Sequence, residues 1–177
     1  MFNLTADTLR RKWPNAKQSV IDGTVKAWPD VAAHFGFNTK LRCAHFWAQI
    51  SWECGGGTEL RENLSYSADR IMQVFGVGHH SAAITRAEAA KLAHNPPALG
   101  ERAYGLGNPK KARELGNTEA GDGFNFRGFD GLNSTGREAA SVIGRGIGQD
   151  LVGNPDLCND PGIALWAGAY EYAVSMK

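Results

Sequence analysis

Two glutamates on either side of a glycine break are the residues of this sequence best placed to do chemistry together. Glu53 closes an apolar stretch that begins at Thr39, glycines follow at 55, 56 and 57, and Glu62 comes nine positions after Glu53. An acid in the last turn of a helix, among aromatic neighbours, meets the negative end of the helix dipole and loses water; both disfavour its charged form. A carboxyl in that state can serve as a general acid near neutral pH, and a second carboxylate that stays ionised nearby completes an acid/base pair for cleaving a glycosidic bond. From the helix alone, the plainer alternative is a glutamate that emerges into water at a helix end.

The element that must carry Glu53 is a helix capped by Thr39, with Leu41, Ala44, Trp47, Ala48, Ile50, Ser51 and Cys54 at three- and four-residue spacing. Phe46 and Trp52 make its other faces apolar too, which predicts a central helix buried on all sides. Upstream, Thr5 caps a short helix that Pro14 ends, Asn15 can cap the next, and Pro29 opens a third that stops at Gly36. Downstream, Ser67 caps a helix stopped by Gly76, and Thr85 with Glu88 forms a capping box for a helix that Pro96 and Pro97 break. Ala98 to Tyr104 reads as one more short helix.

From Gly105 to Gly131 only Lys110 to Leu115 suits a helix, and the rest reads as a packed, functional loop anchored by Phe124, Phe126 and Phe129. Thr135 with Glu138 can cap a helix to about Ile143, followed by a flexible connection over Gly144 to Gly148. Asn159, Asp160 and Pro161 signal the start of the last helix. With about seven or eight helices and no run of alternating strands, the fold class expected is all-α or α-dominated.

At 177 residues the chain fits a single domain over 1–177, and a formal net charge of +1 with 21% charged residues implies neither a nucleic-acid partner nor an anionic membrane. The basic run Lys110, Lys111 and Arg113 reads as a solvated face. Three cysteines do not make a disulfide framework, and Cys43 and Cys54 on one helix would lie roughly 16 Å apart. The first residues mix acid and base without an apolar core, so they do not read as a secretory signal, and no stretch reaches membrane-spanning length. No His, Cys, Asp and Glu spacing fits a metal site, no glycine pattern fits a nucleotide, and Asp122, Asn125 and Asp130 miss the calcium-loop spacing. A Ser/His/Asp triad has no Gly-x-Ser-x-Gly elbow to support it.

The segments WAQISWECGGGTELRENLSYSA, YG, LGNTEAGDGFNFRG, STGR and DLVGNPDL occur in the order and spacing of glycoside hydrolase family 19, the chitinase-like family that includes bacteriophage lysozymes. The chain resembles that family from about Leu4 to its end, most of all the bacterial and phage endolysin branch. The resemblance implies a lysozyme-like two-lobed fold with an active-site cleft, no cofactor, and hydrolysis of β-1,4 links between N-acetylated amino sugars with inversion. It implies Glu53 as general acid, Glu62 as the base that activates water, and Thr135 as the hydroxyl that holds this water. Asn154 matches a substrate-contacting asparagine, Tyr66 and Arg127 match residues framing the cleft, and Asn133 stands in the substrate-binding segment where the family usually has Gln. Further departures are Ala139 for the usual Asn, Ser65 for a frequent Asn, and Phe129-Asp130 for the second Arg-Gly of Arg-Gly-Arg-Gly. Inversion needs water between sugar and base, hence carboxyls roughly 6.5 to 9.5 Å apart, which a glycine break can provide.

The function expected is therefore a peptidoglycan glycosidase of endolysin or lysozyme type, cleaving between N-acetylmuramic acid and N-acetylglucosamine. A chitinase is the first alternative, and a non-catalytic sugar- or wall-binding protein the second. The partner expected is peptidoglycan or another N-acetylated amino-sugar polymer, met by a monomer with no separate wall-binding domain, no metal, no nucleic acid and no stable membrane insertion. Synthesis in the cytoplasm, then release to the wall or periplasm by holin-like or secretion partners, completes the expectation.

Overall fold

A computed structural model describes residues 3–175 and is dominated by helices. Among the described residues, pairing of the β type is confined to isolated bridges at Gly76–Ile84 and Phe129–Ser134. This agrees with the all-α expectation. No described helix is long and apolar enough to cross a membrane. The chain divides into two compact units: one takes the chain up to Arg61, Gly128–Ser134 and everything from Ser141 onward, and the other is Glu62–Arg127 with Thr135–Ala140.

The first unit begins with α1 (Ala6–Lys12), α2 (Gln18–His34) and α3 (Lys40–Glu53), and ends with α10 (Pro161–Tyr170), which follows a short 3-10 turn at Pro155–Asn159. Thr5 and Thr39 cap α1 and α3 by accepting the N–H of Thr8 and Arg42, and Asp160 caps α10 by accepting from Gly162 and Ile163. Each cap satisfies donors that the first helical turn leaves open. Trp28, Phe37, Phe46 and Ile21 form the centre of the core, with Trp28 stacked on Phe46 at 6.0 Å between ring centroids.

The second unit holds α4 (Ala68–Phe75), α5 (Arg86–Leu92), α6 (Pro96–Tyr104), α7 (Pro109–Leu115) and the single turn α8 (Asp122–Asn125). Ser67 caps α4, the Thr85/Glu88 capping box is present on α5, and Asn95 and Asn108 cap α6 and α7. Leu64, Ile71, Phe75, Ile84 and Leu99 form its core. Gly100 and Gly123 let α6 and α8 touch backbone to backbone, since a Cβ at Gly123 would overlap the carbonyl of Gly100. Helix α9 (Arg137–Ile147) begins in this unit and ends in the first.

Four expectations are corrected. Helix α3 is not a central helix buried on all sides: Cys43, Phe46 and Ile50 are buried along one stripe, while Leu41 is 69% and Trp52 84% exposed. The helix has a core on one side only, and its flank with Leu4, Leu9 and Lys12 borders an apolar groove of about 650 Å³. Pro29 does not open a helix but lies inside α2, because Val20, Ile21, Thr24, Trp28 and Val31 continue one buried stripe across it. Asn15 does not cap α2, which starts at Gln18 after Lys17; the guanidinium of Arg10 instead covers the carbonyls of Trp13, Pro14 and Ala16 between the two helices. Gly144 and Gly146 are not a flexible connection but part of α9, where a Cβ at Gly146 would overlap the Tyr170 ring.

The glycine break after Glu53 adopts left-handed backbone at all three positions, with φ of 56°, 63° and 77°. At Gly57 a Cβ would also run into the ring of Trp13. Gly57→Ala is therefore expected to lower unfolding free energy by about 1–3 kcal/mol, combining backbone strain with overpacking. Urea denaturation checks this, with Gly78→Ala as control, since Gly78 has a similar φ of 85° but open space around it.

Candidate active site

In the first unit, Glu53 is the last residue of α3 and is exposed. The water-poor aromatic surroundings expected for it are therefore absent. Its neighbour is Asn133, whose Nδ2 donates to the Glu53 carbonyl at 3.4 Å and to its Oε2 at 3.3 Å. Asn133 is exposed and left-handed, with φ of 61°. The structure thus brings Glu53 and Asn133 together. Asn154, expected to contact substrate, is exposed at the start of the 3-10 turn Pro155–Asn159. That turn is tied to the residue preceding Glu62: Arg61, its side chain 5% exposed, donates to Asp156 Oδ1 at 3.0 Å.

In the second unit, Glu62 is half-buried and accepts a hydrogen bond from the Tyr104 hydroxyl on Oε1 at 3.0 Å. Arg127 donates from Nε to the Glu62 carbonyl at 3.0 Å and lies 4.1 Å over the Phe124 ring. Burial, together with the neighbouring Glu62 and Tyr66, pushes the Tyr104 phenol well above its ordinary pKa. The Tyr104 phenol keeps its proton, and so stays a hydrogen-bond donor, throughout the physiological range. The half-buried Tyr66 stacks on Phe75 at 6.2 Å. Glu62, Arg127, Tyr104 and Tyr66 are thus gathered in one unit.

Thr135 sits half-buried, two residues ahead of α9. The helix starts at Arg137, with Ala140 N–H bonded to the Gly136 carbonyl at 3.0 Å, and the Asn117 side chain takes the Arg137 N–H at 2.8 Å. Arg137 also grips Asp122 through two hydrogen bonds, from Nε at 2.8 Å and Nη2 at 2.7 Å, while the N–H groups of Thr118 and Glu119 donate to the same carboxylate. Among the described residues no group of three or more His, Cys, Asp or Glu side chains is arranged to hold a metal.

Comparison with known proteins adds one likeness. The chain is similar to a glycosyl hydrolase family 19 domain-containing protein of Haemophilus influenzae, 28% identical over 173 residues that cover 94% of this chain and 78% of that one. That likeness suggests a glycoside hydrolase. No family model matches the chain.

Four residues with structural partners in the two units, Tyr104, Arg61, Asp156 and Asp122, were given no role by sequence reasoning. Tyr104 appears in the Tyr-Gly motif, but its bond to Glu62 spans 42 positions. Arg61 and Asp156 are 95 positions apart. Asp122 misses the calcium-loop spacing and carries no other local signal. Its acid and Arg137 lie 15 positions apart, and a buried acid inside a glycine-rich loop signals an ion pair only once the partner is known.

Burial alone would raise the pKa of Asp122, but the bonds from Arg137, Glu119 and Thr118 outweigh it and hold the carboxyl below the usual range. The stability this confers is present above the unfolded carboxylate pKa of about 3.9 and is lost as pH falls through the lower folded value. Asp122→Ala, which leaves Arg137 without its main partner, is expected to cost about 3 kcal/mol at pH 7 and clearly less near pH 3. Denaturant titrations at the two pH values check both the size and the sign.

Proposed function

We propose that this protein is a family 19-type glycoside hydrolase of peptidoglycan, cleaving the β-1,4 bond between N-acetylmuramic acid and N-acetylglucosamine with inversion. The observation that carries the reading is Glu53: an exposed carboxyl at the end of α3, met by the Asn133 amide and followed by a glycine turn. The likeness to a protein named for a glycosyl hydrolase family 19 domain supports it.

In the proposed reaction Glu53 gives its proton to the leaving glycosidic oxygen. Glu62 takes a proton from water as that water attacks the anomeric carbon, and Thr135 holds the water. Tyr104 fixes one oxygen of Glu62, leaving the orientation of the base set before substrate arrives. Asn133, Asn154, Tyr66 and Arg127 contact the sugars or hold the residues that do. The substrate lies outside the cytoplasmic membrane, so the enzyme acts in the wall or periplasm after release by holin-like or secretion partners, as a monomer and without a cofactor.

Incubation with purified peptidoglycan and with chitin oligomers, followed by mass analysis, tests the reading. Muramic-acid-containing fragments whose new reducing ends are first seen as the α-anomer are expected. Release from chitin alone makes the protein a chitinase, and binding without release makes it a sugar-binding protein. Glu53→Gln is expected to abolish turnover, with an unchanged circular dichroism spectrum. Tyr104→Phe, which keeps the ring packing on Phe75 and His80, is expected to lower kcat by about 10-fold while changing stability by roughly 1 kcal/mol. Steady-state kinetics beside a thermal melt checks that pair of outcomes.

A further inference from the structure

The segment Gly128–Ser134 belongs to the first unit and reaches Glu53 through Asn133. Its ends pair, with Phe129 N–H bonded to the Ser134 carbonyl at 3.0 Å. Between them Asp130, Gly131 and Asn133 are all left-handed, with φ of 66°, 70° and 61°. Only one of the three is glycine, so the turn is strained and must be held from elsewhere.

The hold is the Asp130 side chain, which is completely buried. Its Oδ1 accepts the N–H of Leu132 at 2.9 Å and of Ser134 at 3.2 Å, closing the turn from inside. The backbone around it is wedged in place: a Cβ at Gly168 of α10 would approach the Asp130 carbonyl to 2.5 Å, and Gly131 faces Ile50 and Cys54 of α3. Neither Oδ2 nor the buried Ser134 hydroxyl makes a hydrogen bond of good geometry, but the hydroxyl lies close enough to the Asp130 carboxyl to favour its charged form. Asp130 also borders a small pocket of about 10 Å³, shared with Thr24 and Ile50, which is room for about one water.

We propose that Asp130 is a positioning residue, which sets the place of Asn133 against the Glu53 carboxyl by holding the left-handed turn from within the protein. Its effect on rate rests on the reading of Glu53 as the catalytic acid; its effect on Asn133 does not. The groups facing Asp130 are the Thr24 hydroxyl from α2, the Cys54 thiol after α3, the Cys158 thiol of the 3-10 turn, Glu171 after α10 and Ser134 of its own turn. Glu171 is the charge among them, and it is negative. Burial pushes the Asp130 carboxyl up to about 7, against the lowering hydrogen bonds from Ser134 and Leu132 and with a further rise from Glu171. As a neutral acid, Asp130 has a proton on Oδ2 to give to the Ser134 hydroxyl or to a water; ionised, Oδ2 can only accept. The ionised form buries a charge that has no ion pair among the described residues; the N–H bonds to Oδ1 offset only part of that cost, and the drive to hydrate the carboxylate loosens the turn.

The sign follows from a folded pKa raised above the unfolded one. The favourable neutral state contributes fully below about pH 4 and is lost as pH rises through about 7.

The test uses the full chain and reads the Asn133 side-chain amide by 15N NMR, assigned with Asn133→Asp, alongside hydrolysis of peptidoglycan. In the wild type the Asn133 amide is expected to shift with a midpoint near pH 7. Asp130→Asn, neutral at every pH and able to keep the Oδ1 acceptor, removes that transition and keeps activity at pH 8, where the wild type declines. Asp130→Ala moves the Asn133 amide away from its native position at every pH. It lowers kcat by about 10- to 100-fold, the scale of a misplacement near 1 Å, with little change in KM. Should Asp130→Ala fail to fold, the wild-type titration and Asp130→Asn still decide. An Asn133 amide that does not titrate and is the same in Asp130→Asn as in the wild type overturns the proposal. A wild type that hydrolyses no amino-sugar polymer overturns the functional reading instead, leaving the amide measurement to judge Asp130 on its own.

Discussion

Trp13 against the backbone of Gly57 is the contact on which the placement of Glu53 depends. The indole N–H donates to Ser51 Oγ at 2.8 Å, and the ring covers the glycine where any side chain would stand. With α1 locked onto the end of α3 in this way, the chain beyond Glu53 has a single route. Cys54 N–H bonds the Ile50 carbonyl, Gly56 N–H the Ser51 carbonyl, and Glu59 N–H the Cys54 carbonyl. The last carbonyls of α3 are thereby satisfied by a left-handed turn, as helix ends require. Gly57 N–H adds a bond to the Cys54 sulfur at 3.1 Å, and burial pushes that thiol up to about 11. The glycine turn is thus a fixed stop, and the exposed carboxyl it leaves behind stands at a defined point.

Elsewhere, loops are held by ions. A loop that must present polar groups has few apolar side chains to bury, so a charge placed inside it and matched by a partner is the available anchor. Arg61 with Asp156 does this in the first unit, and Asp122 with Arg137 in the second. Removing Arg137 would leave the buried Asp122 carboxylate without its ion partner, a costly state, whereas Asp156 is largely exposed. Asp130 departs from that pattern. It has no ion pair among the described residues, and the N–H groups of Leu132 and Ser134 on its Oδ1 close the turn instead.

Helix starts were legible because a cap is local. Thr5, Thr39, Ser67 and Thr85 each accept from an N–H three residues on, so the signal and its consequence lie in one short window. Pro29 and Gly146 were misread for the opposite reason: a stripe running through Trp28 and Val31 and a ring at Tyr170 decide them, and neither is visible in a window. The exposed face of α3 escaped because an apolar tally counts side chains without counting neighbours. Glu53 was legible as a helix-end acid. Its partner Asn133, 80 positions away, and the Tyr104 bond to Glu62 are products of the fold.

Strain near Glu53 is distributed in an informative way. Left-handed backbone costs a glycine nothing, and at 55, 56 and 57 the chain uses glycine throughout. In the segment that meets Glu53 from the other side it uses Asp130 and Asn133 at two of three left-handed positions, although both types tolerate that region only with help from their own side chains. Here Asp130 closes the turn and Asn133 reaches Glu53. Glycine at both places would relieve the strain and remove both contacts. The chain therefore carries the strain where its side chains make those two contacts.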